Sequence, residues 1–258
     1  MADTVRLDLG QIATITLDRA GAANCLSRAT LAGLSAAIGD VTADSSTRAV
    51  ILTGAGDKAF CAGADLKERA GMSDAEVRDF VRMIRDTATA LSRVPAPTIA
   101  AINGIAFGGG CELALACDVR VIDERAQIGL TETSLGIVPG GGGTQRLPRL
   151  IGPARAIELI VAAKRVDAAE ALRIGLVNEV APAGGALKAA TAIAERIAAN
   201  APIAVRAAKE AAWRGLELPL DDGLALETSL YERCLGTKDR IEGLAAFREK
   251  RPPVYTGE

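Results

Sequence analysis

Residues 97–117 run apolar for roughly the 20 residues that a bilayer crossing needs, but Asn103, Glu112 and four glycines interrupt them. A carboxylate in the middle of hydrocarbon is expensive, so the segment reads as protein interior. It divides into a buried strand, a glycine loop at Gly108, Gly109 and Gly110, and a buried helix. The remaining chain must supply the core around it. At 258 residues, 49% of them apolar and 24% charged, it is long enough for one large core or one core with a helical appendage.

Upstream and downstream of that segment, short β runs alternate with helical runs. Residues 12–18, 49–54, 98–104 and 119–123 are rich in β-branched side chains and bounded by Gly, Asp or Asn. Residues 27–41 and 73–94 carry apolar side chains at three- and four-residue spacing, and Ser73 with Glu76 forms a capping box at the start of the second. From residue 152 the pattern is mostly helical, with residues 167–180 as a last strand-like return and helices expected over 203–216, 220–235 and 238–247. The class is α/β. Residues 1–200 form the expected core, and residues 201–258 a helical tail whose apolar faces must be buried on that core or on a neighbouring subunit.

Charge and residue usage exclude several functions. With 30 basic against 32 acidic residues the net charge is −2, so the electrostatic footprint of a general nucleic-acid binder is missing. The chain has no histidine, and its five cysteines contain no C-x-x-C pair. The cysteines lack ligand spacing, which argues against zinc, and without histidine Ser-His and Cys-His nucleophiles are excluded. No basic-then-apolar leader precedes the first residues, which points to a reduced, cytoplasmic protein.

Three clusters can carry chemistry. In "FCAGADLKER", residues 60–69, Ala62, Gly63 and Ala64 follow a strand and a turn, and small residues there leave backbone N–H groups open to a ligand. An ordinary tight turn between strand and helix would look the same. In "GIAFGGGCELALACD", residues 104–118, the glycines precede a short helix whose first-turn N–H groups are unpaired and whose dipole favours negative charge. Glu112 sits in that turn, either as an exposed acid complementing the dipole or, with Leu113, Ala114, Leu115 and Ala116 beside it, as a buried carboxylate. Burial without a partner costs several kcal/mol and marks a residue for work. In residues 128–149, Glu132 follows a strand-like run and precedes the loop of Gly140, Gly141, Gly142 and Gly143, which lacks the Gly-Lys-Ser/Thr ending of a phosphate loop. Two carboxylates, each beside a glycine loop able to present N–H donors, form the pattern of an acid/base pair facing an oxyanion site.

In this order, over nearly the whole chain, "FCAGADLKE", "AINGIAFGGGCELALACD", "AQIGLTETSLGIVPGGGGTQRLPRLIG" and "AAEALRIGLVNEV" resemble the enoyl-CoA hydratase/isomerase (crotonase) superfamily. "FCAGADLKERAGMS", "GLALE", "TKDRIEGLAAFREKRPP" and "YTGE" are similar to its 3-methylglutaconyl-CoA hydratase branch. The resemblance implies a crotonase-like spiral of β-β-α turns whose helical C-terminal subdomain builds trimers that pair into hexamers. It places an oxyanion hole on the backbone N–H groups of Ala64 and Gly109 and the two catalytic acids on Glu112 and Glu132. Coenzyme A would lie along the backbone of Ala62, Gly63, Ala64, Asp65 and Leu66, by the loop starting at Asn24, and against Phe247 and Lys250 of a neighbouring subunit. No other cofactor and no metal is implied, coenzyme A being part of the substrate. The branch's substrate carries a free carboxylate, for which Lys67 and Arg69 are the candidate partners.

The implied reaction is reversible syn hydration of 3-methylglutaconyl-CoA to 3-hydroxy-3-methylglutaryl-CoA, in leucine- or isovalerate-related metabolism. A general short-chain enoyl-CoA hydratase uses the same two acids and is the alternative among enzymes. Members of the branch are also known as AU-rich-RNA-binding proteins, with a row of lysines on the helix before the second strand. Residues 29–47 here hold neither lysine nor arginine, which argues against RNA because phosphate contacts dominate such binding.

Overall fold

The computed structural model describes residues 4–258. The chain opens with an antiparallel pair, β1 (Val5–Asp8) and β2 (Ile12–Leu17), followed by α1 (Arg28–Ala43), whose N-cap Ser27 accepts the Thr30 N–H. Three spiral turns come next. The first runs β3 (Ala49–Gly54), β4 (Ala59–Cys61), α2 (Leu66–Arg69) and α3 (Asp74–Ser92). The second runs β5 (Thr98–Ile102), β6 (Ile105–Phe107) and α4 (Gly109–Ala116). The third runs β7 (Val119–Asp123), β8 (Gln127–Gly129), a 3₁₀ turn at Glu132–Leu135, α5 (Gly143–Ile151) and α6 (Pro153–Val161). After β9 (Val166–Asp167), α7 (Ala168–Arg173), β10 (Glu179–Ala181) and α8 (Ala186–Ala198), the tail is α9 (Pro202–Gly215), α10 (Leu220–Leu235) and α11 (Lys238–Glu249).

Each spiral turn places one strand in each of two sheets. The first sheet has the order β1-β2-β3-β5-β7-β10 and is parallel apart from β1; the second has the order β4-β6-β8-β9, with only β9 antiparallel. Central strands of the first sheet are covered on both faces. Val50, Leu52, Ala100 and Ile102 enter the main core with α1 and α3, while Ile51, Ile99 and Val121 pack against Ala190 and Ala194 of α8. That double burial is why these strands read as unbroken apolar runs without alternation.

The capping box at Ser73 and Glu76 is made as the sequence implies, and the three tail helices lie within two residues of their expected bounds. The strand-like return over 167–180 is corrected. Strand is confined to its two ends, Asp167 closing β9 and β10 reaching Ala181; between them the chain is helix, since Asp167 accepts the Glu170 N–H at 2.8 Å and caps α7, a capping acid before Ala, Glu and Leu nucleating helix. The tail is latched to the core through Asp118, which pairs with Lys209 at 2.6 Å and accepts the Trp213 indole N–H at 2.6 Å.

Candidate active site

Strands β4, β6 and β8 are parallel neighbours, so the segments leaving them emerge at one edge of the second sheet. These segments carry Ala62 to Ala64, Gly108 to Gly109, and Thr131 to Glu132. With Val81 and Ile84 of α3 and the Gly140 to Gly141 loop, they line a cleft of about 290 Å³. A carboxyl-end crevice of a parallel sheet is where open α/β sheets place ligands.

Glu112 lies in the first turn of α4 and is only 2% exposed. Its Oε1 accepts the N–H groups of Gly141 at 2.7 Å and Gly143 at 2.8 Å. A Cβ on Gly141 would collide with this carboxylate and with Ile84, so the loop must be bare to approach it. Arg146 holds the loop by donating to the Gly141 carbonyl at 2.9 Å. Burial pushes the Glu112 carboxyl up, while the N–H groups of Gly143 and Gly141 and the charge of Arg146 pull it back.

Glu132 opens the 3₁₀ turn after β8 and is half-buried. Its Oε2 is buried and has no hydrogen-bond partner among the described residues. Burial, with the negative charge of Glu112 added, pushes its carboxyl up to about 7. The two glycine loops are exchanged relative to the chain order. The Gly140 to Gly143 loop, downstream of Glu132, cradles Glu112, while a Cβ on Gly108, upstream of Glu112, would stand 3.2 Å from Glu132 Oε1.

The backbone of Ala64 is bridged to Leu26: the Leu26 N–H donates to the Gly63 carbonyl and the Asp65 N–H to the Leu26 carbonyl, both at 2.8 Å. Extended backbone alternates its donors, so the intervening Ala64 N–H points away from Leu26. Gly109 is the first residue of α4, and its N–H is one of the unpaired donors of a helix start. Neither group donates to a protein oxygen among the described residues. They are close neighbours, since a Cβ on Gly109 would stand 3.9 Å from the Ala64 nitrogen and 3.0 Å from Leu26 Cδ1. Two free donors and two carboxyls with raised affinity for protons can polarise a carbonyl and move protons beside it.

Of the other residues singled out in the sequence, Ala62, Gly63, Leu66 and Arg69 line the cleft. Asp65 serves α2 as its cap, accepting the Lys67 and Glu68 N–H groups, and pairs with Arg19 at 3.0 Å. Asn24 is fully buried; its amide donates to Ala55 and Ala59 carbonyls at 3.0 and 2.7 Å and accepts the Arg19 N–H at 2.9 Å, so it staples its loop and does not line the cleft. Lys67 is exposed outside the cleft. Phe247, 85% exposed on α11, and Lys250, its left-handed C-cap, also lie outside the cleft of their own chain. Sequence reasoning missed Arg146, Phe107 and Arg165. The guanidinium of Arg165 stands 4.6 Å from the Phe107 ring centroid, and a lone arginine before a two-residue strand gives no signal in the sequence. Among the described residues no cluster of three or more Cys, Asp or Glu could hold a metal, and no helix is long and apolar enough to cross a membrane.

This geometry brings two unpaired backbone donors and two carboxyls to one cleft, an arrangement able to hold a carbonyl between them. Residues 9–258 match the family model described as enoyl-CoA hydratase/isomerase. The chain is 53% identical over 246 residues to YngF of Bacillus subtilis, whose name stops at enoyl-CoA hydratase/isomerase, covering 95% of each chain. It is 47% identical over 251 residues to the human mitochondrial methylglutaconyl-CoA hydratase, covering 96% of this chain and 74% of that one. The crystal structure of an enoyl-CoA hydratase from Bacillus anthracis superposes with a TM-score of 0.97 at 53% identity, covering 99% of this chain and 100% of the other. The chain therefore belongs to the enoyl-CoA hydratase/isomerase, or crotonase, family and is an enzyme of the enoyl-CoA hydratase type.

Proposed function

We propose that the protein adds water reversibly to 3-methylglutaconyl-CoA, giving 3-hydroxy-3-methylglutaryl-CoA, in leucine- or isovalerate-related metabolism. The observation that carries the hydratase reading is the presence of both Glu112 and Glu132 in one cleft with two free backbone donors. The thioester oxygen accepts the N–H groups of Ala64 and Gly109, which stabilise the enolate charge as it develops. Glu112, positioned by the N–H groups of Gly141 and Gly143, takes a proton from water as the oxygen attacks the β-carbon. Glu132, whose carboxyl holds its proton up to about 7, delivers it to the α-carbon on the same face. Dehydration runs the same steps backwards, with the roles of the two acids exchanged.

The branched dicarboxylic substrate is supported by the methylglutaconyl-CoA hydratases among the relatives and by the cation that Arg69 brings to the cleft. The substrate brings its own coenzyme A, and the reading requires no other cofactor. Residues 201–258 are proposed to assemble trimers, or dimers of trimers, in which Phe247 and Lys250 meet the coenzyme A of a neighbour. Five free cysteines support a reducing compartment, the cytoplasm. The deciding measurement is kcat/KM for 3-methylglutaconyl-CoA beside crotonyl-CoA, in both directions, with Glu112→Gln as the blank. A preference of tenfold or more for the branched acid, about 1.4 kcal/mol, supports the proposal. A preference for crotonyl-CoA makes the enzyme a general short-chain hydratase, and activity on neither removes the catalytic roles.

A further inference from the structure

Two arginines line the cleft and pair with no acid among the described residues. Arg69 comes from α2, after β4, and Arg165 from the turn before β9; those two strands are the edges of the second sheet, so the arginines approach the cleft from both sides. Among the described residues neither side chain makes an ion pair or donates to a protein oxygen. Their neighbours are committed: Arg19 pairs with Asp65, and Arg146 donates to the Gly141 carbonyl. Lys67, expected beside Arg69, does not reach the cleft.

Arg165 is fixed by packing. Its guanidinium lies over the Phe107 ring, which engages the face of the group and leaves its N–H edges unbonded. Its backbone presses on Gly129, where a Cβ would meet the Lys164 carbonyl at 2.6 Å and Arg165 Cα at 3.3 Å. Phe107 leads directly into Gly108 and Gly109, so the fork is anchored to the strand that feeds the oxyanion helix.

A purely hydrocarbon acyl tail would dehydrate both cations and return nothing, whereas an anion satisfies them. That anion has two chemical sources, a carboxylate at the far end of the acyl group or a phosphate of coenzyme A. We propose that Arg165, with Arg69 facing it across the cleft, forms an anion subsite that takes the distal carboxylate of a dicarboxylic enoyl thioester and thereby sets acyl specificity. The proposal deepens the hydratase reading and rests on it for the placement of the thioester at Ala64 and Gly109.

The test compares wild type, Arg165→Met, Arg165→Lys and Arg69→Met on 3-methylglutaconyl and crotonyl thioesters, each as the coenzyme A ester and as the N-acetylcysteamine ester, which carries no phosphate. For Arg165→Met the loss in kcat/KM on the dicarboxylic substrate should exceed the loss on crotonyl by at least about tenfold in both ester series, as expected for a lost charge-assisted bond. The excess should lie mainly in KM, and Arg165→Lys should recover part of it, since it keeps the charge without the fork. Equal losses on the two acyl groups overturn the proposal. A loss confined to coenzyme A esters overturns it too, and assigns the fork to phosphate.

Binding separates failure of the subsite from failure of the substrate reading, because it needs no turnover. Wild type should bind glutaryl-CoA at least tenfold more tightly than butyryl-CoA by titration calorimetry, and Arg165→Met should erase the difference. Equal affinities in wild type would overturn the subsite even if a dicarboxylic enoyl-CoA proved to be turned over.

Discussion

Glu112 and Glu132 are the same side chain in two settings, and the settings suit them to the two roles proposed. Two backbone donors hold Glu112 in place, whereas the buried Oε2 of Glu132 has none. Glu112→Gln and Glu132→Gln should each lose at least about 10²-fold in kcat while remaining folded, because a positioned acid or base contributes about 10²–10⁴. Retention of a tenth of wild-type turnover by either would remove its role. Both directions need the pair to share one proton, so their kcat/KM profiles should follow one bell that declines as pH rises past about 7. A profile flat from pH 6 to 9 would exclude Glu132 as the proton carrier. Stability responds as well. Folding raises the Glu132 carboxyl from 4.5 to about 7, so the folded state binds the proton more tightly and stability falls as pH rises through that window. Glu132→Gln should therefore raise Tm at pH 8, by about 2–4 °C for each kcal/mol relieved, and leave it nearly unchanged at pH 4. Gly141→Ala, which drives a methyl into Glu112, should lose activity as Glu112→Gln does.

At the scale of elements, the eight residues of α4 carry two groups of the proposed site, Gly109 and Glu112, at one end. Arg120 serves its other end. It is 5% exposed, pairs with no carboxylate among the described residues, and donates to the carbonyls of Cys117 at 2.7 Å and Leu176 at 2.8 Å. A cation at a helix C-terminus complements the dipole and satisfies carbonyls that the helix leaves open. Arg120→Met should destabilise by about 2 kcal/mol, a loss of roughly 4–8 °C in Tm, by removing charged hydrogen bonds from buried carbonyls. An unchanged Tm in thermal unfolding would show that water replaces the guanidinium. The strands and long helices were legible because burial on two faces and amphipathic spacing leave composition signals. The short β9 and the 3₁₀ turn at Glu132 leave none, since two to four residues carry no period.

For the whole molecule, the tail is the part whose surface asks for a partner. Leu216, Leu220, Tyr231, Ile241, Leu244 and Phe247 are exposed on or beside α10 and α11, although α9 is latched to the core at Asp118. The proposed assembly would cover these side chains, as interfaces cover apolar surface. Sedimentation velocity should show trimers or hexamers, and Leu244→Asp should dissociate them. A monomer in the wild type would overturn the assembly. Phe247→Ala should raise KM for coenzyme A esters and not for N-acetylcysteamine esters if this residue meets the nucleotide of a neighbour.

The sequence by itself determined the α/β class, the β-branched strand runs and the helical tail, and singled out the two acids, because each depends on local composition, periodicity or a motif within one segment. Tertiary structure alone decided which glycine loop serves which acid: Gly141 and Gly143 lie 29 and 31 positions from Glu112, and only the spiral brings them together. It also decided which of the residues singled out in the sequence reach the cleft. Asn24 and Asp65 turn their polar atoms inward to hold loops, Lys67 stays in solvent, and Arg165 arrives from the far edge of the sheet. Contacts between distant segments are set by strand order and helix packing, which local sequence does not encode at any one position.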